Sequence, residues 1–397
     1  MNTRRIVQNA LKILDAYDFS VPLHRFLPGY FKQHKYMGSR DRRQASSLVY
    51  NYFRFGAALS RLDIEARLAL ADFVCNDTLS PVYADFFNIP RSEEKLTLIQ
   101  RMRFLSNRYP DFNVLDFFPL YNLMSGSINK LEFAQTLPIQ PSLFIRVSEN
   151  IDIKHLKAEL KSREIDFIPV PGNRQALQFA NGTKLNDVAD WGLAEFGVQP
   201  FEIQDLSSQQ CGTYFKPKSG ERWWDACAGA GGKSLMLKEA CADVTVLATD
   251  KRESILRNYE SRLDNAGFGK FITRPIDLAK YPLEQPIDEL FDGIIADVPC
   301  SGSGTWGRTP EMTTRLKPDD IAQYHNLQFK LVNGMWPNLK PGKPLFYITC
   351  SVFAQENEEV VNRLIEQTPL TLDSMQVIKG YYDRADTLFI AKLILPA

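Results

Sequence analysis

The chain has no run of about 18 apolar residues, so no segment reads as a membrane-spanning helix. Its first residues, MNTRRIVQNALKILDAYDF, have neither a continuous apolar stretch nor a small-residue cleavage site, and do not read as a secretory leader. Cysteine is scarce: six in 397 residues (Cys75, Cys211, Cys227, Cys241, Cys300 and Cys350), none in a C-x-x-C pair. That excludes a disulfide scaffold and points to reduced thiols in a cytoplasmic protein. The four histidines, His24, His34, His155 and His325, lie far apart and give no zinc-ligand spacing, so no metal is expected. A charge excess is also missing, with 47 Lys+Arg against 47 Asp+Glu. There are no internal repeats and no low-complexity segments. The remainder is ordinary globular composition, 44% hydrophobic and 24% charged. The length suffices for two or three domains and a large core.

The charge is unevenly spread. Residues 1–60 hold ten basic residues against Asp15, Asp18 and Asp41, a local charge of +7. Two readings stay open for this stretch, a contact with a polyanion and a solvated helical surface.

Three regions differ in pattern. Residues 1–140 carry apolar positions at helical spacing, as in Val7, Leu11 and Leu14 or Leu48, Tyr52, Phe55 and Leu59, and predict an all-α domain. After the break LPIQPS, the strand LFIRV, the amphipathic helix IKHLKAELKSRE and the strands FIPV and ALQFA predict a small α+β unit over 141–194, ferredoxin-like in order. Such units often bind RNA on their sheets, but no RNP-type aromatic strand is present. From 195 to 397, the strands RWWDAC, TVLATD, FITRPID, FDGIIADV, PLFYITC and TLFIAKLIL alternate with helical segments, the pattern of a doubly wound α/β domain. Its ligands are expected beyond the C-terminal ends of the strands.

Four constellations fall at those strand ends. DACAGAGGKS (Asp225–Ser234) joins a strand to a helix, and its small residues let backbone approach a ligand. It is neither a full G-x-G-x-x-G nor a Walker A motif, and a tight structural turn would also account for it. Asp250 ends the next strand, 18 residues after Gly232, where an acid can hold ribose hydroxyls or cap the following helix. Asp277 could contact a base in the same manner or be an ordinary loop carboxylate. DVPCSGSGTWGRTPE places Asp297 at a strand end and Cys300 in a Pro/Gly/Ser loop, where an inert core thiol is not expected. YITCSVFAQENEEV places Cys350 at the end of the adjacent strand, as a second thiol on one cleft, a small core residue or half of a disulfide. Glu356 and Glu358 are assigned to the first turn of the next helix, where the helix dipole favours acids anyway, and receive no catalytic role.

A nucleoside cofactor, a carboxylate and two thiols suit methyl transfer to a pyrimidine carbon. A thiolate adding to C6 makes C5 nucleophilic, and an acid near N3 stabilises the charge on the ring. The base must also leave any helix to enter the pocket.

Together these segments resemble the Sun/RsmB-like family of RNA cytosine-C5 methyltransferases. DACAGAGGKS is similar to D-x-C-A-x-P-G-G-K-T, with Ala230 in place of Pro and Ser234 in place of Thr. DVPCSGSG is similar to D-A-P-C-S-G-x-G, ITCSVFAQENE to S-T-C-S-x-x-x-x-E-N-E, and IQDLSSQ to V-Q-D-x-A-S-Q. The resemblance covers about 195–397 and implies a Rossmann-like class I methyltransferase domain. More loosely, SRDRRQASSLVYNYFRFG resembles part of a NusB-like RNA-binding domain, and 141–190 an RRM-like unit. The resemblance implies S-adenosylmethionine as cofactor, held by Cys227, Ala228, Gly229, Ala230, Gly231, Gly232 and Lys233, with Asp250 at its ribose, Asp277 at its adenine end, and Asp297 also lining the site. It implies Cys350 as nucleophile, Cys300 as the thiol that assists release, and Asp297 and Lys233 as contacts to the target cytosine. Arg308 and Pro310 match an R-x-P after the P-C motif, a candidate substrate contact. Expected partners are RNA, ribosomal 16S RNA above all, with no membrane, and a monomer suffices. No C-terminal RNA-binding extension is expected after Ala397. A non-catalytic RNA-binding or ribosome-assembly factor with a methyltransferase-like fold is the alternative, and a cofactor-dependent enzyme on DNA or protein a third reading.

Overall fold

A computed structural model of the chain describes residues 3–78, 80–89, 95–280 and 287–397. The first two residues of the predicted helical segment EEKLTLIQRMRFLSN lie outside the described residues. The chain divides into two compact units. No helix among the described residues is long and apolar enough to cross a membrane.

One unit comprises Met1–Gln140 together with Thr305–Lys317. Its described part is helical, as the apolar spacing predicts. The helix Ile64–Cys75 is apolar on nearly every side, with Ala66 and Leu68 through Val74 buried, and is therefore central to its unit. Asp63 starts it by accepting a bond from the Ala66 amide at 2.8 Å. The segment 305–317 belongs to this unit through specific contacts. Trp306 packs on Phe118, ring centroids 5.5 Å apart. Arg54 donates to the Gly307 carbonyl at 2.7 Å, and the Leu23 amide donates to Glu311 at 3.0 Å.

The other unit comprises Pro141–Gly304 and Pro318–Ala397 and holds two sheets. The smaller is antiparallel: β1 (Leu143–Val147), β2 (Ile168–Pro169), β3 (Ala176–Phe179) and β4 (Phe201–Ile203), in the order β2-β3-β1-β4. With the helices Ile153–Ser162 and Asn186–Phe196 this completes a β-α-β-β-α-β unit. The expected edge at 194 falls inside the second helix, because β4 pairs with β1 and carries the unit on to Ile203. One face of this sheet packs on its own helices through Ile145, Val147, Leu177 and Phe179. The opposite face is covered too: Phe144 and Ala176 cluster with Leu206 and Ala385, and the buried Arg146 bonds Gln204 at 2.7 Å and pairs with Glu239. The central strands of this sheet are therefore not an open platform for RNA.

The larger sheet has seven strands: β5 (Arg222–Asp225), β6 (Thr245–Asp250), β7 (Phe271–Pro275), β8 (Gly293–Asp297), β9 (Pro344–Thr349), β10 (Thr371–Lys379) and β11 (Thr387–Ile394). Their order is β10-β11-β9-β8-β5-β6-β7, parallel from β7 to β9 and antiparallel at β11 and β10. The strands β5, β6, β8 and β9 are near-continuous apolar runs, buried on both faces as an interior parallel sheet requires. This is the predicted Rossmann-like α/β architecture. Sequence pattern overlooked β10, whose first six residues are exposed. Strand order reverses between β5 and β8, and a cleft at their C-terminal ends is the expected ligand position.

Candidate active site

A cavity of about 420 Å³ opens at that switch point. It is lined by residues just past the ends of five parallel strands: Cys227 after β5, Asp250 at the end of β6, Asp277 after β7, Asp297 and Cys300 at β8, and Cys350 after β9.

The turn after β5 is built for close approach. Gly231 has φ +84°, and a Cβ there would lie 2.6 Å from the Tyr259 ring, so only glycine fits. The next residue opens the helix Gly232–Ala240, whose N-cap Gly231 is left-handed and has no side-chain cap. Ala230, where the family pattern has proline, offers its carbonyl to Arg262 at 3.2 Å. Beneath the turn, Asp225 is fully buried. Ser234 donates to its Oδ2 at 2.7 Å, its Oδ1 has no partner, and burial pushes its carboxyl up to about 7.

Asp250 stands opposite. Burial pushes its carboxyl up, but bonds from the Arg252 amide and guanidinium and from the Gly229 amide at 3.2 Å outweigh this and hold it below the usual range. The carboxylate thus ties the Gly-rich turn to the neighbouring strand. Asp277 accepts a bond from the Ala279 amide at 3.1 Å. Cys227 is an inert thiol, since burial and the carboxylates of Asp225, Asp297 and Asp250 push its pKa far up.

The reactive end of the cleft lies at β8 and β9. Lys233 is 8% exposed and pairs with Asp297 at 3.2 Å while donating to Ser208 at 2.8 Å. Burial disfavours its charge, but Asp297 more than compensates and keeps it an ammonium. The Sγ atoms of Cys300 and Cys350 are 3.3 Å apart, because β8 and β9 are adjacent and parallel. The neighbouring sulfur and burial hold the Cys300 proton tightly, and either sulfur can donate across the pair. Gly304 donates its amide to the Cys350 carbonyl at 2.9 Å, and a Cβ on it would collide with the Thr387 carbonyl at 1.9 Å.

Sequence reasoning missed the group that fixes both thiols. Glu356 does not lie in the first turn of a helix. It ends the short 3₁₀ turn Ala354–Glu356 and is fully buried, whereas Glu358 opens the helix Glu358–Gln367. Its carboxylate accepts from the Ser301 amide at 2.8 Å, from the hydroxyls of Ser301 and Ser351, and from Gln328 at 3.0 Å. Ser301 follows Cys300 and Ser351 follows Cys350, so one carboxylate clamps both cysteine loops. The signal was the E-N-E triplet at a fixed distance after Cys350; helix-dipole logic hid it.

The site residues predicted from sequence divide in two. Cys227, Asp250, Asp277, Asp297, Cys300 and Cys350 share one cleft, with Ala228–Lys233 forming the turn beside it. Arg308 and Pro310 are part of the helical unit instead. Among the described residues no group of three or more His, Cys, Asp or Glu is arranged to hold a metal.

The family description "16S rRNA methyltransferase RsmB/F" matches residues 212–393. Ribosomal RNA small subunit methyltransferase B of Salmonella arizonae is 36% identical over 178 residues, 45% of this chain and 40% of that protein. The chain thus matches less than half the length of this curated relative. Among solved structures, PH0851 aligns over 99% of each chain with a TM-score of 0.69 and 19% identity. NSun6 from Pyrococcus horikoshii, solved with SFG, has a TM-score of 0.59 and 17% identity, covering 70% of this chain and 97% of that one. These two are likenesses of fold. Through residues 212–393, somewhat under half of its length, the chain is similar to the RsmB/F methyltransferase family.

Proposed function

We propose that the protein is an S-adenosylmethionine-dependent RNA cytosine-C5 methyltransferase acting on small-subunit ribosomal RNA. The observation that carries this reading is the pair of thiols 3.3 Å apart, at the ends of adjacent strands, in a cleft that also holds the Asp297–Lys233 pair. A methyltransferase acting on a nitrogen or oxygen nucleophile has no use for two such thiols.

The cleft suits the cofactor. Its volume of about 420 Å³ is within the range of nucleoside-sized sites, and Asp250 and Asp277 supply acceptors at two strand ends. The turn from Cys227 to Lys233 would hold the methionine part, Asp250 the ribose and Asp277 the adenine end. When bound, S-adenosylmethionine supplies an electrophilic methyl group.

The chain's own residues do the rest. Cys350 as thiolate bonds to C6 of cytosine, and electron density moves to C5 and the N3 side of the ring. The Lys233 ammonium stabilises that ring charge, and Asp297 holds Lys233 in place and contacts the base. Once the Cys350 sulfur is bonded to carbon, it no longer shares a proton with Cys300, and Cys300 can lose its proton to solvent and then accept the proton from methylated C5. The C5 electron pair restores the C5–C6 double bond as the Cys350–C6 bond breaks. Cys350 leaves as thiolate, and the net change is C5–H to C5–CH₃ with release of one proton.

The test is incubation with S-adenosylmethionine and unmodified small-subunit ribosomal RNA, followed by nucleoside mass spectrometry. Wild type is expected to form 5-methylcytosine and Cys350→Ala none. Cys300→Ala is expected to remain bonded to RNA as a denaturation-resistant band. Full activity of Cys350→Ala would overturn the assignment.

A further inference from the structure

The helical unit holds a second cavity, of about 450 Å³, whose lining includes three arginines (Arg42, Arg43 and Arg54) and two serines (Ser46 and Ser47). All five residues belong to the helix Ser39–Arg54, where spacings of three and four residues bring them to one side. No carboxylate among the described residues lines the cavity.

Arg54 is the unusual member. It is 5% exposed, yet no carboxylate among the described residues lies within ion-pair distance of it, and its one protein bond is to the Gly307 carbonyl. A buried cation ordinarily has an anionic partner, because leaving it unpaired is costly. Two buried acids belong to the same unit without forming an ion pair with Arg54, and Glu311, whose Oε2 has no hydrogen-bond partner among the described residues, acts on it only through its field. Asp72 accepts from Asn51, Asn76 and Ser80, and Glu311 from the Leu23 amide. Arg42 is held in place, its Nε bonded to the Met37 carbonyl at 2.8 Å and its guanidinium over the Phe31 ring. Arg43 is exposed, and no described residue pairs with it. Two ordered cations, one of them unpaired, a third free to close over a ligand, and two hydroxyl donors form an anion site that the protein does not fill itself.

We propose that this cavity binds a backbone phosphate of the RNA substrate, with Arg54 and Arg42 as the fixed forks and Arg43 as the closing one. The proposal rests on the reading that the substrate is RNA. It gives a definite place to the +7 charge of residues 1–60, which from sequence could equally have been a solvated surface.

The test uses the full-length chain and a labelled oligonucleotide of unmodified small-subunit ribosomal RNA, titrated at several salt concentrations. Arg43→Glu changes an exposed side chain, so its unfolding midpoint is expected to match wild type. Its affinity is expected to fall about tenfold, and the dependence of log K on log salt to flatten by about one. Lys154→Glu is the control, an equal charge change on the helix Ile153–Ser162, and is expected to stay within about twofold of wild type. Arg43→Glu binding as tightly as wild type, or no worse than Lys154→Glu, overturns the phosphate site while leaving the RNA reading intact. Failure of wild type to bind RNA at any salt overturns that reading, and the site with it.

Discussion

Glu356 shows how one residue can control a site it does not line. Its carboxylate receives bonds from both cysteine loops and from Gln328, which also donates to the Pro299 carbonyl at 3.0 Å. An amide in its place offers one acceptor atom where two are used, and presents N–H to groups that already donate. Glu356→Gln is therefore expected to lower kcat by roughly 100-fold, the cost of an ångström-scale misplacement, with cofactor affinity unchanged; stopped-time methylation and a cofactor titration separate the two. Asp225 makes a different prediction. Its carboxyl is raised from 3.8 to about 7 by burial, so the folded protein holds this proton more tightly than the unfolded chain does. Stability from this group is then lost as pH rises from about 4 to about 7. Asp225→Asn removes the titration, and its stability relative to wild type is expected to grow across that window and level off above it, as read by urea unfolding at a series of pH values.

At the scale of elements, the parallel strands were legible because burial on both faces leaves runs such as TVLATD and PLFYIT with nowhere else to go. The strand β10 was not, since its exposed residues show no periodicity that burial would impose. The short strand β4 was missed for a related reason: three residues are defined by pairing with β1, not by pattern. The glycines of the P-C loop belong to this scale, because they let two elements touch. Gly304 lies against the backbone of Thr387 and Cys350, with no room for a methyl group. Gly304→Ala is expected to destabilise the protein by about 1–3 kcal/mol, the usual cost of overpacking, and to lower activity further by displacing Cys350. A thermal melt read beside the methylation rate checks both.

For the whole molecule, the notable feature is that Thr305–Lys317 leaves the sheet-bearing unit and is built into the helical one. Trp306 is 1% exposed there and is covered partly by Phe118. A chain cut down to residues 141–397 would carry this segment without its packing partners. It is expected to be poorly soluble or unfolded, measured as soluble yield and loss of a cooperative melt, whatever its effect on RNA binding. In the full chain, Trp306→Ala is expected to cost about 3–5 kcal/mol, the range for a buried large aromatic, measured by urea unfolding.

The sequence by itself determined the α/β class, the strands that form the parallel sheet, and the strand-end positions of Asp250, Asp297, Cys300 and Cys350, because apolar runs and glycine-rich turns are local properties of the chain. Tertiary structure alone decided that the two thiols lie 3.3 Å apart, that Glu356 clamps their loops, that both faces of the small sheet are covered, and that residues 305–317 pack among the helices. Each of those depends on partners distant along the chain (55 positions for Glu356 and Ser301, 253 for Arg54 and Gly307), and no local pattern encodes which distant group a buried polar atom will find.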